Sequence, residues 1–113
     1  MQITERSVGN VKVLDLSGQI TLAKGDDQVL KDKVNSLVHQ GHKNILVNLG
    51  SVTHMDSAGL GELVAAYTTV TKAGGTMKLV NLTKRLEDLL SITKLLTVFE
   101  TYDSEKDALG KFN

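Results

Sequence analysis

The chain has 113 residues, 41% hydrophobic and 23% charged, which is typical of one globular domain. Its 13 basic and 13 acidic side chains cancel and only four residues are aromatic, so neither charge nor base stacking supports a nucleic-acid or anionic membrane partner. The lack of cysteine excludes disulfides, thiol catalysis and cysteine-based zinc sites.

The first 13 residues contain no long apolar run, so we expect no signal peptide, no membrane span and a cytoplasmic protein.

Gly9-Asn10 separates two strand-like segments, which predicts a β-hairpin. Its second arm lies in residues 11–20, VKVLDLSGQI, and the strand is predicted to break at Gly18. An amphipathic helix is predicted over residues 25–40, terminated by Gly41. Its apolar stripe has i, i+4, i+7, i+8 spacing and consists of Leu30, Val34, Leu37 and Val38, while Asp26-Asp27 and Lys31-Asp32-Lys33 form a solvated face.

Residues 43–49 predict a central strand buried on both faces, followed by a connection from Gly50 to Asp56. The next helix should run from Ser57 to Ala73, since Leu60, Leu63, Val64 and Tyr67 have helical spacing. We then expect a strand over 77–82, a helix capped by Thr83, a strand over 98–102 and a short helix opening at Ser104. The order ββαβαβαβα predicts a single compact α/β domain over residues 1–113, with a mixed β-sheet and about four α-helices.

The stretch HMDSAGLGEL, residues 54–63, opens the second predicted helix in an unusual way. Asp56 or Ser57 is suited to the N-cap, because either side-chain oxygen can accept from free N–H groups of the first turn. Gly59 and Gly61, however, each cost a helix about 1 kcal/mol relative to alanine. Glycine here indicates that a backbone or a partner comes close, or that the first turn leaves Ser57 unshielded.

A phosphoryl group on Ser57 would place a charge of about −1.5 to −2 at the positive end of the helix dipole, next to Asp56. Such a modification would change the surface and leave the fold in place. Phosphorylation of Ser57 therefore stands as a hypothesis beside simple helix capping.

The run NILVNLGSVTHMDSAGLGELVAAY, residues 44–67, closely resembles the signature of anti-sigma-factor antagonists, whose domain is called STAS. The resemblance implies that Ser57 is phosphorylated by a partner that is both anti-sigma factor and serine kinase, and dephosphorylated by a PP2C-type phosphatase. It implies that the unphosphorylated chain binds the kinase and frees a sigma factor. The implied partner-binding residues are Asp56, Ala58, Gly59, Leu60 and Gly61, together with an earlier loop, Ser17, Gly18, Gln19 and Ile20.

Two positions depart from the family pattern. Ala58 stands where many members carry a second hydroxyl residue, which leaves Ser57 as the single acceptor in the motif. Thr21 stands where many members carry an acidic residue, so contacts of that carboxylate do not carry over and the identity of the kinase stays open.

Two other functions are compatible with parts of the sequence. The first is a regulatory or scaffold STAS module acting on another signalling or transport protein, with Ser57 only a helix cap. The second is a small hydrolase using Ser57, His54 and Asp56, but Met55 occupies the first glycine position of the Gly-x-Ser-x-Gly pattern. Val64 breaks a dinucleotide-binding pattern in the same way, and His39 and His42 have no further ligand nearby in sequence. We therefore expect a monomeric, non-enzymatic protein without metal or cofactor, whose partners are proteins.

Overall fold

A computed structural model describes residues 1–21 and 28–112 of the chain. Within these ranges the elements are β1 Gln2–Val8, β2 Val11–Ile20, α1 Val29–His39, β3 Asn44–Met55, α2 Ser57–Lys72, β4 Thr76–Val80, α3 Lys84–Ile92, β5 Glu100–Tyr102 and α4 Glu105–Leu109. The predicted order ββαβαβαβα is confirmed.

The strands form one mixed sheet in the order β1-β2-β3-β4-β5. β1 and β2 are antiparallel, and every other neighbouring pair is parallel. The predicted hairpin is confirmed, since Val8 pairs with Val11 and Gly9 takes the positive φ, 59°, that a two-residue turn requires. Parallel pairing follows from the helices that connect successive strands from β2 onward.

Helices cover both faces of this sheet. One apolar cluster joins the sheet to α1, α2 and α3, and a second joins the opposite face to α4 through Ala108. Alternate residues of β3 contribute to the two clusters, so Ile45, Leu46 and Val47 are all fully buried. The prediction of a central strand covered on both faces is confirmed.

The structure corrects the predicted ends of β2 and β3. β2 does not break at Gly18 but continues to Ile20, and β3 does not end near Leu49 but continues to Met55. The two extensions pair with each other: Ser17 pairs with Ser51 and Ile20 with Met55, and the register shifts once between Gly18 and Gln19. Residues 50–55 therefore belong to a strand, and the predicted connection before α2 shrinks to Asp56.

Other boundaries differ by a few residues. β4 covers Thr76–Val80, since Asn81 takes a φ of 61° that leaves the strand conformation. β5 begins at Glu100, because the N–H groups of Val98 and Phe99 donate to the carbonyl of Leu95 in a turn.

The predicted first helix, residues 25–40, begins in the structure at Val29. Positions 25–27, including Asp26-Asp27, lie outside the described residues. The caps predicted at Thr83 and Ser104 are confirmed, because their hydroxyls accept from the N–H groups of Leu86 and Asp107.

Candidate functional site

Ser57 is the first residue of α2, and Asp56 is its N-cap. A carboxylate oxygen of Asp56 accepts from the N–H of Gly59 at 3.0 Å, and its backbone carbonyl accepts from Leu60 at 2.9 Å. From the sequence, either Asp56 or Ser57 could be the N-cap, and the structure assigns this role to Asp56. The idea that Ser57 serves only as the helix cap is therefore wrong. Its side chain is exposed at the start of the helix.

The two glycines of this turn have different surroundings. A Cβ at position 59 would lie 2.2 Å from the carbonyl oxygen of Ile20 and 2.9 Å from Met55 Cγ, so only glycine fits there without a shift. At position 61 a Cβ would meet nothing within 4 Å. Gly59 is therefore explained by packing within the chain, whereas the fold gives no packing reason for Gly61.

The residues predicted to bind a partner differ in exposure along this turn. Ser57 and Gly61 are exposed, Asp56 and Ala58 are half-buried, and Gly59 and Leu60 are buried. Positions 57 and 61 are one helical turn apart, so they share a face of α2. A partner approaching this face would meet Ser57 and Gly61 first.

The second predicted contact segment, Ser17–Ile20, lies beside this helix tip. It is not a loop as expected, because it forms the end of β2. The carbonyl of Ile20 accepts from the N–H of Asp56 at 3.4 Å. The same carbonyl oxygen is the atom that would lie 2.2 Å from a Cβ at position 59. Gln19 is exposed, Ser17 and Gly18 are half-buried, and Ile20 is buried. Folding thus brings together the two segments that the resemblance names.

Thr21 follows directly after this segment and is 8% exposed. Its hydroxyl has no hydrogen-bond partner among the described residues. A carboxylate at this buried position would lose much of its hydration, so a threonine is the less costly residue there.

Glu62 is a residue of this region that the sequence reasoning missed. It lies in α2, is 4% exposed, and accepts from the N–H of Leu30 at 2.5 Å. Leu30 is in the first turn of α1, whose own N-cap residue, Gln28, makes no side-chain capping bond. The sequence signal that could have revealed Glu62 is an acidic residue inside an apolar stretch of a helix, between Leu60 and Leu63.

The arrangement offers little for catalysis. His54 is an exposed residue of β3 rather than a loop residue, and the structure gives no hydrogen bond between it and Ser57. In residues 1–21 and 28–112, no cluster of three histidine or acidic side chains is suited to hold a metal ion. In the same ranges, no helix has the length and apolarity needed to cross a membrane.

Known proteins resemble this chain in sequence. The model of the STAS domain family matches residues 2–108. The anti-sigma-B factor antagonist of Bacillus subtilis (strain 168) is 36% identical over 87 residues, which are 77% of each chain.

Solved structures share the fold. The Bacillus cell fate determinant SpoIIAA in its phosphorylated form superposes with a TM-score of 0.74 at 18% identity, over 97% of this chain and 98% of that one. A sulfate transporter family protein from Wolinella succinogenes superposes with a TM-score of 0.78 at 18% identity, over 91% and 84%.

Proposed function

Because the chain belongs to the STAS domain family, we propose that it is an anti-sigma-factor antagonist controlled by phosphorylation of Ser57. A relative that is 36% identical over 87 residues is named an anti-sigma-B factor antagonist. The observation that carries the proposal is the exposed hydroxyl of Ser57 at the start of α2, left accessible because Asp56 does the capping. The phosphorylated form of SpoIIAA shares the fold, which supports a phosphate within this architecture.

The local electrostatics favour a phosphate that changes the surface without unfolding α2. The N-terminus of a helix carries a partial positive charge, which stabilises an anion placed in its first turn. Asp56 opposes the new charge, yet its carboxylate is already bound to the N–H of Gly59. The phosphorylated chain should therefore stay folded and present a doubly anionic group where the partner approaches.

In this proposal the unphosphorylated chain binds an anti-sigma factor that is also a serine kinase, and a sigma factor is released. Phosphorylation of Ser57 ends the contact, and a PP2C-type phosphatase restores it. Ser57, Gly61 and Gln19 offer exposed surface, whereas the buried Gly59, Leu60 and Ile20 support it from below. The protein acts in the cytoplasm as a monomer, without catalysis and without a cofactor.

The test is a phosphorylation assay with each serine kinase of the anti-sigma type from the same organism, expressed singly. At least one should transfer phosphate to the wild-type chain and none to Ser57→Ala. Ser51→Ala is the matched control, since Ser51 is an exposed serine of the neighbouring strand. Phosphate that remains on Ser57→Ala, or no transfer to the wild type, would refute the proposal.

The substitution Ser57→Asp supplies a second test. A carboxylate at this helix terminus should leave the thermal unfolding midpoint nearly unchanged and weaken binding of the anti-sigma factor at least tenfold. Isothermal titration calorimetry of the anti-sigma factor with the wild type and with the variant measures the difference in affinity. Equal affinities would contradict the switch.

A regulatory module for a transport protein is the alternative function. The fold shared with a sulfate transporter family protein favours it. In that case a transporter would co-purify with the chain, and Ser57→Ala would leave the association unchanged. Co-purification of an anti-sigma factor in place of a transporter would argue for the first function.

A further inference from the structure

The buried carboxylate of Glu62 joins two helices that the sequence separates. Glu62 is in the second turn of α2, and its oxygen accepts from the N–H of Leu30 in the first turn of α1 at 2.5 Å. The first N–H groups of a helix have no acceptor within the helix, and the side chain of Gln28 supplies none. Glu62 therefore caps α1 from a neighbouring element.

Such a contact is costly to build. Taking a carboxylate out of water is unfavourable unless hydrogen bonds and a compensating charge surround it. The positive end of the α1 dipole supplies that compensation, since Glu62 is 4% exposed and bonded to the first turn. An apolar residue would fill the same space without the desolvation cost. The carboxylate thus supplies what an apolar residue would not, a fixed direction and distance between the two helices.

The placement of this contact relates it to Ser57. Glu62 lies five positions after Ser57 in α2, which corresponds to a rise of about 7.5 Å along the helix. The chain leaves β2 at Ile20, whose carbonyl accepts from Asp56 just before α2, and it enters α1 at the turn that Glu62 holds. Both ends of the β2–α1 connection are therefore bonded to α2 or to its cap. The first turn of α1 presents exposed residues beside α2, among them Val29, which is 40% exposed.

We propose that Glu62 is a positioning residue for recognition at Ser57. Its carboxylate holds the first turn of α1 against α2, so that the anti-sigma factor meets both helices as one preformed surface. This inference rests on the proposed function, because it concerns the partner that reads Ser57. Preformed surfaces bind more tightly since less conformational entropy is lost on association.

The test compares three variants with the wild type in calorimetric titrations. The titrant is the anti-sigma factor that phosphorylates the wild-type chain in the kinase assay described above. Glu62→Leu removes the acceptor, and Glu62→Gln keeps an oxygen in the same place. Lys78→Met is the matched control, because Lys78 is also 4% exposed and its ammonium group lies over the rings of Tyr102 and Phe112. Both rings pack against the second apolar cluster, on the opposite face of the sheet. We expect Glu62→Leu to bind at least tenfold more weakly, while Glu62→Gln and Lys78→Met stay within about threefold of the wild type.

Amide hydrogen exchange gives a second readout. In Glu62→Leu the N–H of Leu30 should exchange at least tenfold faster, whereas amides in the centre of β3 should keep their wild-type rates relative to global stability. If Glu62→Leu does not fold, Glu62→Asp replaces it, since the shorter side chain keeps the charge but falls short of Leu30.

The outcomes separate the two proposals. Wild-type affinity in Glu62→Leu, or an equal loss in Lys78→Met, would overturn the positioning role and leave the function of Ser57 intact. A wild-type chain that neither binds the anti-sigma factor nor accepts phosphate would overturn the proposed function and this inference with it.

Discussion

Alanine substitutions at the two glycines of α2 should change stability in opposite directions. In a helix, alanine is favoured over glycine by about 0.5–1 kcal/mol, so both variants gain the same intrinsic term. At Gly61 nothing lies within 4 Å of the new methyl group, so Gly61→Ala should raise the free energy of unfolding by about 0.5–1 kcal/mol.

At Gly59 the same methyl group would meet the Ile20 carbonyl oxygen at 2.2 Å. Relief of that contact requires the helix tip and the end of β2 to move apart by roughly 1 Å, since non-bonded carbon contacts are favourable only beyond about 3.5 Å. Forced shifts of this kind cost about 1–3 kcal/mol, and the backbone contact places this case at the upper end. With a cost of about 2–3 kcal/mol and a helical gain of about 0.5–1 kcal/mol, Gly59→Ala should destabilise the domain by about 1–2.5 kcal/mol.

Urea unfolding followed by circular dichroism measures both variants against the wild type at one pH. The free energies of unfolding of the two variants should differ by about 2–3 kcal/mol. In thermal unfolding this corresponds to a difference of about 8–12 °C between the midpoints, at about 4 °C per kcal/mol. Equal stabilities would refute the reasoning, because they would show that Ile20 and Gly59 are not in direct backbone contact. If Gly61 serves the partner, Gly61→Ala should also weaken anti-sigma factor binding although the fold is more stable.

Three further substitutions test local features. Asp56→Ala should cost about 0.5–2 kcal/mol by loss of the cap on Gly59, and Asp56→Asn should recover most of it in thermal unfolding. Lys94→Gly should stabilise by about 0.5–1 kcal/mol, because Lys94 follows the C-cap of α3 with a φ of 64°; a loss of stability in urea unfolding would contradict this. The hydrogen bond from Arg6 holds the pKa of Asp15 below its ordinary value of 3.8. The pair therefore stabilises the fold above about pH 4, and this contribution is lost as the pH falls through the folded-state pKa of Asp15. The free energy of unfolding of Arg6→Gln should decline less steeply than that of the wild type as the pH falls below about 4. Identical slopes would count against the pair.

Much of the fold could be predicted from local pattern. Apolar spacing located α1 and α2, and the hydroxyl residues Thr83 and Ser104 located the starts of α3 and α4, because both signals act within a few residues. The run Ile45-Leu46-Val47 predicted a strand buried on both faces for the same reason. The ends of β2 and β3 could not be predicted, since Gly18, Gln19 and Ile20 extend β2 by pairing with residues of β3 that are more than 30 positions away.

The candidate site shows the same division. The sequence by itself determined that Asp56, Ser57 and two glycines open a helix, because capping and helix propensity are local properties. Only the tertiary structure decided which residue caps, which glycine is required by packing and which acidic residue is buried. Asp56 donates its N–H to the carbonyl of Ile20, Gly59 lies against the same carbonyl, and Glu62 accepts from the N–H of Leu30. Folding alone brings these two groups to α2.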